Sequence, residues 1–539
     1  MIKTITTKAY QDQKTGTAGL RKKTRVAMQE NYIENFVQAI YNALGGVEGK
    51  TFILGGDGRF FNDECVQKVI KMSVANGVKK LIIGQNGYLS TPAASNIILK
   101  NKTDGGIVLS SSHNPGGIDA DFGIKFAGSS GGQIPDSLTN KIYEITKTIT
   151  EYKTIEDTDF NTSKIGTFNY NGMEIEVIDP VTDYVVMMQE IFDFPAIKKL
   201  FADGFSFVFD GMNAISGPYA IEIFENILGA KKGSVINAVP LPDFGGLHPE
   251  PNLIYAKPLV DLMYSDNAPD FGAANDGDAD RNLILGRKCF VSPSDSLAVL
   301  TKYHNLIPAY KNGINGVAKS MPSSSAVVRV AEDLGLPWYE TPTGWKYFVN
   351  LMDSKRITFC GEESFGTSSD HIREKDGIWA VLFWLNIIAA TGKTVAEIMQ
   401  DFFETYGRSY YLLKFYEAVD LDIANKMMED LKNKLPSLSG NVYGSYTVKN
   451  ACEFTYNDPV DGSSTTNGMN IYFTDGSRIV TRLSGTGTVG ATIRLYLEKY
   501  EKEKINEDPN KMLEELTSVA LEILEIPQRT GRTEPDVTT

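Results

Sequence analysis

The sequence predicts an α/β protein: three related α/β domains with mainly parallel, mixed sheets, followed by a smaller α+β C-terminal domain. Three observations carry that prediction. Up to about residue 406, short apolar runs of strand character alternate with longer helical stretches, the order that parallel α/β units impose. The unit recurs near 51–85, 205–240 and 315–340, an echo of pattern rather than of residue identity. Beyond 406 the chain alternates apolar with polar residues, the period of half-buried antiparallel strands.

The elements follow in order. TFILGGD (51–57) leads into a helix over 63–75, and KKLIIGQ (79–85) into one over 91–100. FSFVFDG (205–211) opens the second unit, with a helix over 217–228. Trp379 to Ala390 is an apolar run that includes Asn386. At about a dozen residues it is too short to span a bilayer and predicts a buried helix. In the last domain we expect a helix over 422–434 and strands over 471–483 and 491–500. An Asp475-Gly476 hairpin turn and an amphipathic helix over 508–525 complete it. These elements divide the chain into domains 1–190, 191–303, 304–406 and 407–539.

Composition narrows the function. With 42% apolar and 22% charged residues in 539, the chain can build sizeable cores. A formal net charge of −14 argues against a nucleic-acid partner, whose phosphates are held by clustered Lys and Arg. Cys65, Cys289, Cys360 and Cys452 are far apart and form no CxxC pair, which excludes a zinc ribbon and argues against a disulfide framework. MIKTITTKAY lacks the apolar core of a signal peptide, so a cytoplasmic location without membrane insertion is expected.

Asn275-Asp276-Gly277-Asp278-Ala279-Asp280-Arg281 sets three carboxylates at alternate positions, either along one face of a strand end or converging in a turn. Hard oxygen ligands of this kind suit Mg²⁺ or Mn²⁺. An EF-hand would need Gly and Glu where Arg281 and Arg287 stand, so that reading fails. Three carboxylates leave coordination positions open, as a catalytic metal requires. The alternative is a solvated acidic turn.

An apolar strand from Gly105 runs into Ser110-Ser111-Ser112-His113 and is closed by Asn114-Pro115-Gly116-Gly117. This exposes a serine at a strand's carboxyl end, where ligands gather in α/β sheets. A Ser-His-Asp hydrolase fits poorly, because adjacent Ser and His point apart and no G-x-S-x-G surrounds Ser112. Gly128-Ser-Ser130-Gly-Gly132 matches that pattern but follows no apolar strand, and a flexible loop is expected there.

Arg482-Leu-Ser484-Gly485-Thr486-Gly487-Thr-Val-Gly490, with Arg494 beyond, contains a formal G-x-G-x-x-G. A dinucleotide loop must open a helix, yet ATIRLYL after it alternates as a strand. Small residues between two strands still present backbone N–H groups, and two flanking arginines complete an anion nest. A plain Gly-rich hairpin is the alternative. Two further turns, Glu340 to Lys346 and Cys360 to Gly366, offer hydroxyls and carboxylates suited to sugar hydroxyls, and His371 to Asp376 leads into the buried helix.

Taken in this order, the segments resemble the α-D-phosphohexomutases, and the eukaryotic-type phosphoglucomutases in particular. The resemblance begins at Gly16-Thr-Ala-Gly-Leu-Arg21-Lys22 and Gly55-Gly-Asp-Gly-Arg59. It passes through Asp243-Phe-Gly-Gly-Leu-His-Pro-Glu-Pro-Asn252 and ends at Arg529-Thr-Gly-Arg-Thr533, covering nearly the whole chain. It implies four domains around a central cleft. Ser112, beside His113, would carry the phosphoryl group and complete the shell of one Mg²⁺ held by Asp276, Asp278 and Asp280. Arg21 and Arg281 would neutralise charge, and Lys125 and Lys375 would act as general acid and base, with pKa values lowered by surrounding cations. Thr343, Gly344, Glu362 and Ser364 would grip the sugar. Arg482, Ser484, Gly485, Thr486, Gly487 and Arg494 would hold the distal phosphate.

The implied reaction interconverts glucose 1-phosphate and glucose 6-phosphate through glucose 1,6-bisphosphate. Hexose phosphates are then the partners; a monomer suffices and a dimer stays open. The alternative is a non-catalytic binding protein on the same fold, which would not need the serine, aspartates, lysines and phosphate loop present here. Two departures stand out. Ser110-Ser-Ser112-His replaces the family's common Thr-Ala-Ser-His, and Ala279 stands where Gly is common, a harmless change unless the position needs φ > 0.

Overall fold

Three times the chain traces the same four-strand path. In the computed structural model, which describes residues 1–16, 18–484 and 490–539, the first path is Thr51–Gly56, Lys80–Tyr88, Gly105–Leu109 and Asp121–Gly128. The second is Phe207–Asp210, Val235–Ile236, Phe271–Asn275 and Asn282–Gly286; the third is Val317–Ser320, Trp338–Thr341, Phe359–Gly361 and Thr367–Ser369. In each, the first strand lies between the second and the third, parallel to both, and the fourth returns antiparallel beside the third. The recurrence seen weakly in the sequence is thus a repeat of topology.

The strands form because they are buried on both faces. Gly105–Leu109 and Phe271–Asn275 have no exposed position, the continuous apolar pattern of a parallel strand covered by helices. One apolar core runs through all three units, joining Ile53 and Ile97 to Phe209, Phe271, Phe359 and Trp379. Its centre is the helix Gly377–Thr391, which starts on an Asp376 side-chain cap and stops at Gly392, left-handed at φ 67°. Asn386, the polar residue in that apolar run, accepts the Asp193 N–H at 2.9 Å and so ties a neighbouring helix start to the core. No single helix among the described residues is long and apolar enough to cross a membrane.

The last domain is an antiparallel sheet with its own core beneath the helices Leu421–Leu438 and Pro509–Leu524. Its hairpin between Ser464–Phe473 and Arg478–Ser484 turns at Asp475-Gly476, with Gly476 at φ 89°. The seam with the third unit combines an apolar cluster of Met321 with Leu413, Val480 and Tyr496 and a set of buried polar bonds. Arg478 donates to the carbonyls of Met321 (3.0 Å) and Ser323 (2.7 Å) and pairs with Glu498, while Lys319 pairs with Glu340. The segment Gly128 to Gly132 is not the flexible loop expected. It is a hydrogen-bonded turn, Gly128 N–H to Gly132 O at 2.9 Å, packed so tightly on Arg373 that a Cβ at Gly132 would lie 2.9 Å from the arginine's Cβ.

Candidate active site

The three loops that join the third strand to the fourth meet at one point. The first carries Ser112, the second Asp276, Asp278 and Asp280, and the third Glu362 and Ser364. Asn282 N–H donates to Phe365 O at 2.9 Å, and Ser112 Oγ donates to Asp276 Oδ2 at 2.9 Å. Equivalent positions in a repeated topology thus supply different chemical groups to one cleft, at the carboxyl ends of parallel strands.

Ser112 is buried and left-handed, at φ 52°. A non-glycine residue adopts that conformation at a cost of roughly 1–2 kcal/mol. Asp276, Asp278 and Asp280 converge in a turn, and one oxygen from each lies within 4.8 Å of the others. Asp276 Oδ1 accepts the N–H groups of Asp280 (2.9 Å) and Arg281 (3.0 Å). Asp278 Oδ2 accepts from Thr91 Oγ1 at 2.6 Å and from Lys125. Asp278 Oδ1 and Asp280 Oδ1 are buried without a hydrogen-bond partner among the described residues. Burial and the charges of Asp280 and Asp278 push the Asp276 carboxyl far above its usual range. Two orphaned oxygens and this mutual repulsion fit a small divalent cation bound by oxygen.

Cations ring the carboxylates. Lys125 and Lys375 approach the same oxygen of Asp280, at 3.7 and 3.3 Å. The expected lowering of the lysine pKa does not hold for Lys125. Burial pushes it down, but Asp278 and Asp280 outweigh burial and hold the ammonium above its ordinary value. Glu374, buried beside both lysines, is pushed up to about 7 by burial. His113 is driven well below its usual range by burial and by Arg281 and Arg21, which makes it a neutral imidazole. Arg281 lies 3.6 Å from Glu250 and 3.9 Å from Asp276, and its Nε has no partner. Arg21 reaches Asn114 at 3.5 Å, and burial and Arg281 push its pKa down.

Glu362 Oε1 accepts the Gly344 N–H at 3.0 Å, which joins the two expected sugar-binding turns; Thr343 Oγ1 is buried without a partner. Arg482 and Arg494 stand directly opposite each other on Arg478–Ser484 and Ala491–Glu501, and Ser484 pairs with Thr492. Like charges opposite each other destabilise a sheet, so the pair fits an anion. Arg482 Nε donates to Tyr496 at 3.1 Å, while Arg494 stacks 5.0 Å from the Phe415 ring with its Nε unpaired among the described residues. Gly485, Thr486 and Gly487 lie outside the described residues.

Several residues of the site escaped the sequence reading. Thr91, at the start of the helix Thr91–Asn101, ties the first unit to Asp278. Asp57 and Arg59 lie under Ser112, within a segment that carried the family resemblance but was given no role. Asp376 accepts from Tyr184 at 2.5 Å and lies 3.0 Å from His371, whose other nitrogen is 2.6 Å from Ser369, so the segment bearing Lys375 is locked. Ala279 stands at φ 68°, the condition under which alanine in place of glycine is strained.

Models of the phosphoglucomutase/phosphomannomutase α/β/α domains I, II and III match residues 12–153, 182–288 and 293–406. A model of the phosphoglucomutase-1 C-terminal domain matches 408–536. The chain is 55% identical over 542 residues to a phosphoglucomutase of Rhizobium radiobacter, covering all of both chains. It is 49% identical over 555 residues to the chloroplastic phosphoglucomutase of Arabidopsis thaliana, covering all of this chain and 89% of that one. Among solved structures it resembles the open form of the exocytosis-sensitive phosphoprotein pp63/parafusin, a phosphoglucomutase from Paramecium. Identity there is 46% and the TM-score 0.93, covering 100% of this chain and 99% of that one.

Proposed function

The chain belongs to the phosphoglucomutases of the α-D-phosphohexomutase superfamily, and on that premise we propose that it interconverts glucose 1-phosphate and glucose 6-phosphate through phospho-Ser112 and glucose 1,6-bisphosphate. The observation that carries this reading is Ser112 Oγ at 2.9 Å from Asp276, inside a ring of three buried aspartates. A serine in that ring can carry a phosphoryl group, and the orphaned oxygens of Asp278 and Asp280 would hold Mg²⁺ beside it. When bound, Mg²⁺ supplies charge neutralisation at the transferring group.

Phosphoryl transfer asks mainly for positioning and charge, because the group passes with little covalent help from the protein. Arg21 and Arg281 stabilise negative charge on the transferring oxygens. Lys125, which Asp278 and Asp280 hold in its ammonium form, and Lys375, 3.3 Å from Asp280, are the candidate proton donor and acceptor. Neutral His113 adds no charge next to the nucleophile. Thr343, Gly344, Glu362 and Ser364 grip the sugar hydroxyls, and Arg482 with Arg494 holds the phosphate that is not reacting. Phospho-Ser112 phosphorylates the free hydroxyl, the bisphosphate reorients, and Ser112 takes back the other phosphate. The C-terminal domain shifts to allow that turn, and its separate core lets it move as a unit.

A coupled assay for glucose 6-phosphate with Mg²⁺ and a trace of glucose 1,6-bisphosphate, run beside Ser112→Ala, tests this. Mg²⁺-dependent turnover that falls about 10⁴-fold or more in the variant is expected. A folded wild-type protein without activity, or an active Ser112→Ala, refutes it.

A further inference from the structure

The backbone of Ser112 is held on both sides, its carbonyl by a buried ion pair and its N–H by a neighbouring serine. The Ser112 N–H donates to Ser110 Oγ at 2.8 Å, and the buried Ser110 lies close enough to Asp57 to favour its charged form. The Ser112 carbonyl accepts from Arg59 Nη2 at 2.8 Å. Asp57 holds Arg59 through Nε at 3.0 and 2.9 Å and through the Arg59 backbone N–H at 3.1 Å. The remaining guanidinium nitrogen, Nη1, donates to the carbonyls of Asp121 (2.9 Å) and Asn114 (3.4 Å), where the serine loop ends. Both side chains of the pair are 0% exposed.

A buried ion pair of this kind adds little net stability over an apolar pair of the same volume. Its worth must lie in the geometry it imposes. A left-handed serine persists only where its surroundings over-determine it, and a planar fork with fixed donors does so better than a single ammonium. The far side is closed as well. The Phe244 ring covers the guanidinium at 5.2 Å, and a Cβ at Gly277 would come 2.4 Å from the Ser112 carbonyl oxygen. Ser111, by contrast, has a buried hydroxyl with no partner and no part in the arrangement.

We infer that Asp57, Arg59 and Ser110 form a positioning unit that holds Ser112 left-handed, with Oγ aimed at Asp276 and the sugar. This inference rests on Ser112 as the phosphoryl carrier. None of the three need touch the substrate. They act through the placement of one oxygen, so their loss lowers transfer and leaves sugar binding in place.

The test compares Ser110→Ala, Ser110→Thr and Arg59→Lys with the wild-type protein. The measurements are kcat and KM for glucose 1-phosphate, the rate at which glucose 1,6-bisphosphate phosphorylates Ser112 (by intact mass), and the thermal midpoint. Misplacing a reacting atom by about 1 Å costs up to about 100-fold. Arg59→Lys should therefore lower kcat and the phosphorylation rate together by about 100-fold, and Ser110→Ala by about tenfold. In both, KM should stay within about twofold, and Ser110→Thr should restore the wild-type rates. If Arg59→Lys fails to fold, the Ser110 pair decides. Folded variants with wild-type kcat, or a loss in KM alone, overturn the positioning unit. A wild-type protein never phosphorylated on Ser112 overturns the reading beneath it instead.

Discussion

The two ends of the site are built in opposite ways. At the Ser112 end, loops from two units and a helix start are locked by buried hydrogen bonds into one continuous core. At the Arg482–Arg494 end, two guanidinium groups sit side by side on neighbouring strands of a sheet with its own core. That sheet meets the third unit through buried ion pairs of Lys319, Glu340, Arg478 and Glu498 and an apolar cluster around Met321. The difference teaches a division of labour. Making and breaking a bond at one oxygen requires fixed geometry, whereas gripping a doubly charged phosphate needs charge at roughly the right place. A platform that carries its own core can shift as a unit.

Kinetics can break that contrast. Arg494→Ala removes one charged donor, worth about 1.5–3 kcal/mol. We expect kcat/KM to fall about 10- to 100-fold, almost wholly through a rise in KM. A drop in kcat at constant KM would show that the distal end also positions the reacting atoms, and the contrast would fail.

The pH dependence of metal binding sharpens it. Without metal, folding favours the protonated form of Asp276, whose carboxyl is raised by burial, Asp280 and Asp278. That contribution to stability is fully present below the unfolded value near 4 and is lost as pH rises through the raised folded value. A divalent cation replaces the proton, so Mg²⁺ should raise the melting temperature more at pH 7.5 than at pH 5. An extra gain of about 1 kcal/mol corresponds to a few degrees. A larger Mg²⁺ effect at pH 5 would contradict this.

The smallest expected effect lies in the metal loop itself. Ala279→Gly relieves a left-handed alanine and should stabilise the fold by up to about 1 kcal/mol, read from thermal or urea melts. A destabilised variant would mean that the buried methyl group is worth more than the backbone strain it imposes.

The same contrast explains what could be read from the sequence. Asp276, Asp278 and Asp280 are legible because one turn holds all three, and the buried helix because apolar residues run without interruption from Trp379 to Leu385. Arg482 and Arg494 announce themselves around a Gly-rich hairpin. The supports were hidden. Arg59 meets Ser112 across 53 positions, Thr91 meets Asp278 across 187 and Tyr184 meets Asp376 across 192, and nothing local marks such pairs. At Ala279 the signal of positive φ came only from the family's usual glycine there, since alanine ordinarily avoids that conformation. The turn at Gly128 to Gly132 was misjudged because its order comes from Arg373 in another unit. The Lys125 prediction failed for a related reason: it counted nearby cations, while two aspartates lie closer.

The most direct test of the central claim is to isolate the phosphorylated protein, map its phosphate, and mix it with glucose 1-phosphate in a single turnover. The account predicts one phosphate on Ser112 rather than Ser110 or Ser111, lost from the protein as glucose 1,6-bisphosphate appears in equal amount. A phosphate on another residue, or phospho-Ser112 that persists while glucose 6-phosphate forms, would contradict it.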